Sequence, residues 1–190
     1  MLIDADLISR EVMAPGGAAY QPVVDRFGAG VLQADGTIDR AAVARVVFND
    51  PAALADLNGI THPAIGKVMA ERLAEASADP ERVVVLDIPL LAEGAVAAAE
   101  KEGQDRRAAA RARYGLAAVV VVDTPPDVAL ARLVGQRGMD EDDARARIAN
   151  QVDRATRLGL ADVVIDNSGT LDQLLGEVDR AWLQMRSVAG

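Results

Sequence analysis

Acidic and guanidinium side chains are the groups in this sequence that could do chemistry. Asp4 and Asp6 stand two positions apart directly after a short apolar run, where a carboxylate could act as a general base. Arg137 lies between Gly135 and Gly138, in a predicted break between two helices. An Arg in such a mobile element could close over a polyphosphate and stabilise the charge that develops during phosphoryl transfer.

Six of the eighteen Arg residues fall between positions 132 and 157, which makes this segment strongly cationic. For the members other than Arg137 we expect surface ion pairs with nearby Asp and Glu. The spacing of Arg147, Asn150 and Arg154 predicts that these three share one face of a helix.

Four short apolar runs must position these groups. Three are rich in Val, at residues 82–87, 117–123 and 162–166, and Leu2-Ile3-Asp4 is the fourth. Continuous apolar runs are typical of strands buried on both faces of a parallel sheet. Segments with helical spacing separate them, so the predicted class is α/β.

Each predicted strand ends in Asp, at Asp4, Asp87, Asp123 and Asp166. The carboxyl ends of parallel strands border the ligand crevice of open α/β sheets. We expect Asp123 and Asp166 only to begin a loop or cap a helix. Asp4, with Asp6 beside it, is the candidate for chemistry.

Helix starts are predicted from Pro and capping residues, at Asp50-Pro51, His62-Pro63, Thr124-Pro125, and Thr170 with Gln173. Residues 5–60 read as short helices with no strand between them, which predicts a helical sub-domain beside the sheet. Residues 92–113 predict a solvated helix or a loosely ordered excursion, and Trp182 is predicted to pack in the core.

Composition narrows the functional classes. The net charge of −9 without a basic run argues against a nucleic-acid or anionic-membrane partner. The absence of Cys removes thiolate chemistry and disulfides, and a single His rules out a His-rich metal site. No apolar run reaches the roughly 18 residues of a membrane span, so we expect a cytoplasmic protein.

The phosphate-binding sequence G-x-x-x-x-G-K-[ST] does not occur in the 190 residues. In that motif, backbone N–H groups and a Lys hold the phosphates. The nearest fragment is Gly66-Lys67, which lacks the first Gly and is predicted to lie within a helix. Lys101 is the one other Lys, and it cannot serve either.

An ordered series of residues nevertheless resembles dephospho-CoA kinase over nearly the whole chain. The series is Ile3-Asp4-Ala5-Asp6 with Arg10, Pro15-Gly16, Phe27-Gly28, Asp35-Gly36, Leu57-Asn58 with His62-Pro63, Asp87-Ile88-Pro89-Leu90-Leu91, Asp123, Arg132 with Arg137, Arg147-Ile148, Gln151, and Ala161-Asp162 with Ile165-Asp166-Asn167.

The resemblance implies a P-loop kinase-like three-layer α/β fold. It implies a parallel sheet core (residues 82–136 and 160–190), a helical CoA-binding sub-domain (about 5–80) and an Arg-bearing lid (137–159). It also implies transfer of the γ-phosphoryl group of ATP, with Mg²⁺, to the ribose 3′-hydroxyl of dephospho-CoA, the last step of coenzyme A synthesis. The roles it implies are catalysis by Asp4 and Arg137, substrate binding by Asp6, Arg10, His62, Asp87 and Pro89, and nucleotide binding by Arg137, Asn167 and Gly169. None of these residues is assigned as a metal ligand.

In the family, a first strand, phosphate loop and helix of roughly thirty residues precede the Asp-Ala-Asp segment. We therefore expect an N-terminally truncated kinase domain that is inactive, or nearly so, as it stands. The alternative is a kinase-derived module that binds CoA-type nucleotides without turnover. Upstream DNA that encodes a phosphate loop would exclude that alternative. An exposed sheet edge could also pair with a second copy of the chain.

Overall fold

The computed structural model describes every residue except Asn49, Pro80, Arg113, Ala189 and Gly190. The chain divides into two units, Met1–Pro89 and Leu90–Gly190. Each unit contains one pair of parallel strands together with helices. The predicted α/β class and the parallel pairing are therefore confirmed.

The first unit begins and ends with its two strands. Its elements are β1 (Leu2–Asp4), α1 (Ala5–Val12), α2 (Tyr20–Phe27), a 3-10 helix (Ala29–Val31), α3 (Arg40–Phe48), α4 (Pro51–Ala76) and β2 (Val85–Asp87). In the register of β1 and β2, Leu2 lies opposite Val85 and Asp4 lies opposite Asp87. The helices of this unit thus lie between β1, which ends at Asp4, and β2 in the chain.

Apolar side chains hold the first unit together. Ile3 and Ile8 are fully buried, and a separate cluster contains Val23, Val31 and Val43. Each buried side chain of this size contributes about 1.5–3 kcal/mol relative to an exposed one. Burial of Ile3 and Ile8 fixes the junction of β1 and α1, where Asp4 stands.

The long helix α4 begins where Asp50-Pro51 predicts. Asp50 Oδ1 accepts hydrogen bonds from the backbone N–H groups of Ala52 (2.9 Å) and Ala53 (3.1 Å). The predicted helix start at His62-Pro63 is wrong, because both residues lie inside α4. Pro63 has no N–H to donate to the carbonyl of Gly59. The helix continues because α4 packs against α1, α2 and α3, and tertiary packing outweighs this local loss.

The second unit contains α5 (Leu91–Glu102), α6 (Arg106–Ala112), β3 (Val120–Asp123), α7 (Pro126–Arg137), α8 (Glu141–Ala149), α9 (Arg154–Leu160), β4 (Val163–Asp166) and α10 (Leu171–Val188). Strands β3 and β4 pair from Val120 opposite Val163 to Asp123 opposite Asp166. One buried cluster includes Val119 and Leu160, and another joins Val163 and Ile165 to Ala181 of α10.

Residues 92–113 are helical, which was one of the two alternatives predicted for them. They form α5 and α6, which pack against each other through the buried small side chains of Ala95 and Ala110. Ala has the highest helix propensity, and its small side chain allows close helix contact. The predicted helical alternative, with many exposed residues, is therefore confirmed, the loosely ordered excursion is wrong for the described residues, and Arg113 lies outside them.

Several apolar residues that were predicted to be buried are exposed within this chain. Exposure reaches 49% at Val85 in β2, 59% at Val122 in β3 and 43% at Val164 in β4. Trp182 is 40% exposed, because α10 turns Leu174, Ala181 and Met185 toward the strands instead. Burial of the strands on both faces and packing of Trp182 in the core are thus wrong. Among the described residues, no helix is long and apolar enough to cross a membrane.

Candidate functional site

The site residues of the first unit begin with two carboxylates at one edge of the β1–β2 sheet. Asp4 and Asp87 end their strands in register, and neighbouring strands lie about 4.8 Å apart. Asp4 is half-buried and also caps α1, since its Oδ1 accepts a hydrogen bond from Leu7 N at 3.0 Å. This bond fixes the side chain and leaves Oδ2 available to a ligand.

Asp87 is exposed, and within the described part of the chain its carboxylate has no hydrogen bond or ion pair. Neither Asp4 nor Asp87 is neutralised by an Arg or Lys of the described residues. The sheet therefore presents two adjacent carboxylates that retain free acceptor oxygens. Such a pair can accept a proton from a hydroxyl or contribute oxygen ligands to a hard cation.

Two helices carry the other predicted residues of this unit. Asp6 and Arg10 are four positions apart on α1, which packs against α4, the helix that contains His62. A 2.5 Å ion pair between Glu11 and Arg72 links the two helices. Asp6, Arg10 and His62 are exposed and have no hydrogen bond or ion pair with any described residue. Pro89 follows β2 in an exposed turn. The polar side chains are free to meet a ligand.

In the second unit, Arg137 is the last residue of α7. Gly138 ends the helix in the left-handed conformation with φ 62°, and Asp140 caps α8 by accepting from the N–H groups of Asp142 and Asp143. The predicted break between helices is confirmed. Arg137 is exposed, and among the described residues no carboxylate or carbonyl accepts from its guanidinium.

Asn167 and Gly169 lie in the loop between β4 and α10. Asn167 N donates to the carbonyl of Asp123 at 2.8 Å, which ties the loop to the end of β3. The predicted capping box at the start of α10 is confirmed: Thr170 N donates to Gln173 Oε1 at 2.8 Å, and Gln173 N donates to Thr170 Oγ1 at 3.3 Å. The predicted cap at Thr124 is wrong, since α7 begins at Pro126.

Asp123 does more than begin a loop, so that expectation is wrong. Its side chain is only 6% exposed, and both carboxylate oxygens accept from Arg154, with Nη2 to Oδ2 at 2.6 Å. The hydrogen bonds to the Asp123 carboxylate raise the pKa of the Arg154 guanidinium. No local sequence signal announces this pair, because 31 positions separate its members.

Asp166, which ends β4, behaves as predicted. Its Oδ1 accepts from Ser168 N at 2.8 Å and so begins the loop, and the hydrogen bonds of Ser168 hold the pKa of Asp166 below its ordinary value. The two strand ends of this unit thus carry carboxylates that are already engaged.

The remaining Arg residues fit their predicted surface pairing only in part. Arg145 pairs with Glu141 at 2.5 Å, as expected. Arg132 and Arg157 donate instead to backbone carbonyls, those of Asn167 and Val152 respectively. Arg147, Asn150 and Arg154 do not share a helix face, because α8 ends at Ala149 and α9 begins at Arg154.

The predicted site residues therefore fall into two sets. Asp4, Asp6, Arg10, His62, Asp87 and Pro89 belong to the first unit, whereas Arg137, Asn167 and Gly169 belong to the second. Groups of three or more potential metal-ligating side chains do not occur among the described residues. The arrangement offers free carboxylates in one unit and a free guanidinium and an amide-bearing loop in the other.

Comparisons with known proteins identify the family of the chain. The family model described as dephospho-CoA kinase matches residues 1–103 and 109–173. The dephospho-CoA kinase of Corynebacterium jeikeium is 44% identical over 181 residues, covering 95% of this chain and 84% of the relative. That of Streptomyces avermitilis is 44% identical over 185 residues, covering 97% and 82%.

Solved structures share the fold. TT1252 from Thermus thermophilus aligns with a TM-score of 0.71 and 25% identity over 96% of this chain and 82% of its own. The dephospho-CoA kinase from Campylobacter jejuni has a TM-score of 0.64 at 22% identity, covers 100% of this chain and 86% of its own, and supports the fold alone. On the family match and the extent of these relatives, the chain belongs to the dephospho-CoA kinase family.

Proposed function

We propose that this chain carries the substrate side and the lid of an enzyme that phosphorylates the ribose 3′-hydroxyl of dephospho-CoA with ATP, and that Asp4 is the general base. The observation that carries this role is the state of Asp4. One carboxylate oxygen is fixed by the α1 cap, and the other is free at the edge of a parallel sheet. A general base needs both a fixed position and an available oxygen.

Asp6, Arg10 and His62 would bind the acceptor substrate, with Asp87 and Pro89 at the end of β2 beside Asp4. Support comes from the exposed, unpaired state of the three side chains on α1 and α4 within the described residues. Arg10 suits a phosphate group of the substrate, since a guanidinium can donate two parallel hydrogen bonds. Residues 5–80 would then form the CoA-binding sub-domain.

Arg137 would neutralise charge on the transferring phosphoryl group, as part of a lid over residues 137–159. Two observations support this role. Arg137 stands at the end of α7, beside Gly138 in the left-handed conformation, and it has no carboxylate partner among the described residues. A guanidinium that is already paired, such as that of Arg154, would have less charge to offer. Asn167 and Gly169 would contact the nucleotide base.

ATP is the co-substrate that the family uses, and we propose Mg²⁺ as its counterion. Mg²⁺ in kinases is commonly held by one or two carboxylates plus substrate phosphates. The exposed carboxylate of Asp87, which has no partner among the described residues, fits such a minimal site and leaves Oδ2 of Asp4 for the proton. Bound Mg²⁺ would neutralise charge on the phosphates. Independently of the metal, the chain's own contribution is to orient the hydroxyl, take its proton at Asp4 Oδ2 and place Arg137.

We also propose that the 190-residue polypeptide by itself turns over little or no substrate, because it contains no G-x-x-x-x-G-K-[ST] sequence. The backbone N–H groups and Lys of that loop supply much of the electrostatic stabilisation in this reaction class. A polypeptide with these binding groups but no loop would be a non-catalytic CoA- or nucleotide-binding module, and that is the second candidate function.

A coupled assay separates the two candidates. The 190-residue chain is compared with an extended chain, in which a strand, a G-x-x-x-x-G-K-S loop and a helix precede Met1. We expect turnover of dephospho-CoA only in the extended chain, at about 1–100 per second. Turnover in the 190-residue chain would contradict its proposed inactivity. If dephospho-CoA binds but neither chain turns it over, the binding-module function replaces the kinase.

Exposed apolar residues on short strands support one further proposal, that the chain pairs with a second copy of itself. Val85 is 49% exposed and Val122 is 59% exposed, and unpaired strand edges are common sites of association. Sedimentation velocity should then show a dimer that becomes more abundant with concentration. A monomer at all concentrations would remove the proposal.

A further inference from the structure

Arg132 makes all its polar contacts, among the described residues, with one short loop. Its Nη1 donates to the backbone carbonyl of Asn167 at 2.6 Å and to Asn167 Oδ1 at 3.2 Å, and its Nη2 donates to the carbonyl of Gly169 at 2.8 Å. A single guanidinium thus bonds three acceptors between positions 167 and 169. Only the planar fork of Arg can do this, because the ammonium of Lys is a compact point donor.

The backbone of this loop is also fixed from other sides. Asn167 N donates to Asp123 O at 2.8 Å, and Ser168 N donates to Asp166 Oδ1 at 2.8 Å. A Cβ on Gly169 would lie 2.1 Å from Gln173 Oε1, the oxygen that caps α10. The main chain thus has anchors besides the two carbonyl bonds of Arg132, whereas the side-chain amide of Asn167 has Arg132 as its one hydrogen-bond partner among the described residues.

This contact determines which way the amide faces. A guanidinium has donors and no acceptor, so the atom turned toward Arg132 is Oδ1, and Nδ2 points away from it. Among the described residues, no group accepts a hydrogen bond from Nδ2. The loop thus presents an amide that can donate but cannot rotate to accept without losing its bond to Arg132.

We propose that Arg132 is a positioning residue that locks the Asn167 amide as a donor and so makes the loop select adenine over guanine. This inference rests on the proposed nucleotide role of Asn167. The ring nitrogens of adenine that are open to a ligand all accept hydrogen bonds. On its Watson–Crick edge guanine presents N1–H and an amino group as donors, with O6 as the acceptor, so a donor amide that bonds adenine N1 meets the donor N1–H in guanine. An unlocked amide could turn Oδ1 toward those donors, whereas a locked amide leaves them unpaired, which costs affinity.

The test measures ATP and GTP binding to the 190-residue chain by NMR, which also follows weak binding. The Asn167 side-chain ¹⁵N resonance and the ligand signals give both affinities for wild type, Arg132→Gln and Arg132→Lys. We expect wild type to prefer ATP, with the Asn167 resonance shifting on addition of ATP. Both Arg132 variants should reduce the ATP:GTP preference about tenfold, the size of one net hydrogen bond.

Arg180→Gln is the matched control, because it removes a guanidinium outside the lid that pairs with Glu177 on the surface of α10. It should leave the preference unchanged. In an Asn167→Ala background, Arg132→Gln should have no further effect on the preference, since Arg132 is proposed to act through that amide. If Arg132 had a purely structural role, its substitution would weaken the binding of ATP and of GTP equally and leave the ratio of the two affinities unchanged.

The outcomes separate this inference from the proposed function. Wild type that binds no ATP, wild type without preference, or variants that keep the preference would each overturn the role of Arg132. If Arg132→Gln fails to fold, the Lys variant and the Asn167→Ala background still test it. Failure of the extended chain to phosphorylate dephospho-CoA would overturn the kinase function, while the measured ATP:GTP ratio would still stand.

Discussion

Two pairs of parallel strands in this protein end in aspartates that share a register, and the two pairs differ in what holds the carboxylates. At the end of β1 and β2, Asp4 uses one oxygen to cap a helix, and Asp87 has no partner among the described residues. At the end of β3, Asp123 is nearly buried, and both of its carboxylate oxygens accept hydrogen bonds from Arg154. At the end of β4, Asp166 accepts a hydrogen bond from the backbone N–H of Ser168.

The difference shows that a strand-terminal Asp does not have a role by position alone. A carboxylate whose two oxygens both accept from a guanidinium has little left to offer a ligand. A carboxylate with a fixed position and a free oxygen can accept a proton or bind a ligand. The same contrast separates Arg137, which is unpaired among the described residues, from Arg154.

The largest effect should come from Asp4→Asn in the extended chain. If Asp4 is the base, kcat should fall about 10²–10⁴-fold, while dephospho-CoA binding changes little. Asn caps helices about as well as Asp, so stability should hardly change. Steady-state kinetics and thermal unfolding measure the two quantities. A variant with near-normal kcat would remove Asp4 from the role of base.

Arg137→Ala in the extended chain should lower kcat about a hundredfold, with a small change in the KM for dephospho-CoA, because the charge acts on the transferring phosphoryl group. Arg180→Ala, which removes a surface guanidinium outside the lid, provides the control. If only KM changes, Arg137 contributes to ground-state binding and the contrast with Arg154 loses its functional meaning.

Asp123→Asn should act on stability. The change leaves Arg154 without its counterion and should lower the free energy of unfolding by about 2 kcal/mol, less than for a fully buried pair because Arg154 can regain water. Urea unfolding measures the loss. Asp166→Asn, at an exposed turn, is the matched control with a smaller effect. Equal stability of both variants would mean that the Arg154 pair is not structural.

The smallest effect concerns acid sensitivity. Asp162 is 13% exposed, and its hydrogen bond from Arg111 holds its pKa below the ordinary value of 3.8. A lowered folded-state pKa stabilises the protein above pH 3.8, and this stabilisation is lost as pH falls through the lower folded value. Asp162→Asn should therefore be less stable than wild type near neutral pH, and the difference should shrink below pH 3.8. A constant difference across this range would contradict the linkage.

Features with a local cause could be predicted from the sequence. Three Val-rich runs and Leu2-Ile3-Asp4 indicated the four strands of the described residues, and the pairs Asp50-Pro51 and Thr170 with Gln173 marked two helix starts. The start predicted at His62-Pro63 failed because packing carries α4 through the Pro. For the segment 92–113 the sequence left a solvated helix and a loosely ordered excursion open, because Ala is compatible both with exposure and with close helix packing.

For the candidate site, the sequence identified the acidic strand ends but could not distinguish free from paired carboxylates. Arg154 lies 31 positions from Asp123, and Arg132 lies 35 positions from Asn167. No helical or strand periodicity connects residues so far apart. Such pairs depend on how β3, β4 and the helices after them fold together, which a single sequence does not specify locally.

The central claim is that the free carboxylate of Asp4 takes part in the reaction, whereas the paired carboxylate of Asp123 stabilises the fold. It is tested most directly by the rate of phosphoryl transfer from ATP to saturating dephospho-CoA in the extended chain, measured for Asp4→Asn and Asp123→Asn at a temperature where both are folded. We predict that Asp4→Asn loses at least about 10² in rate and that Asp123→Asn stays close to wild type. Near-normal transfer by Asp4→Asn, or a comparable loss in folded Asp123→Asn, would contradict it.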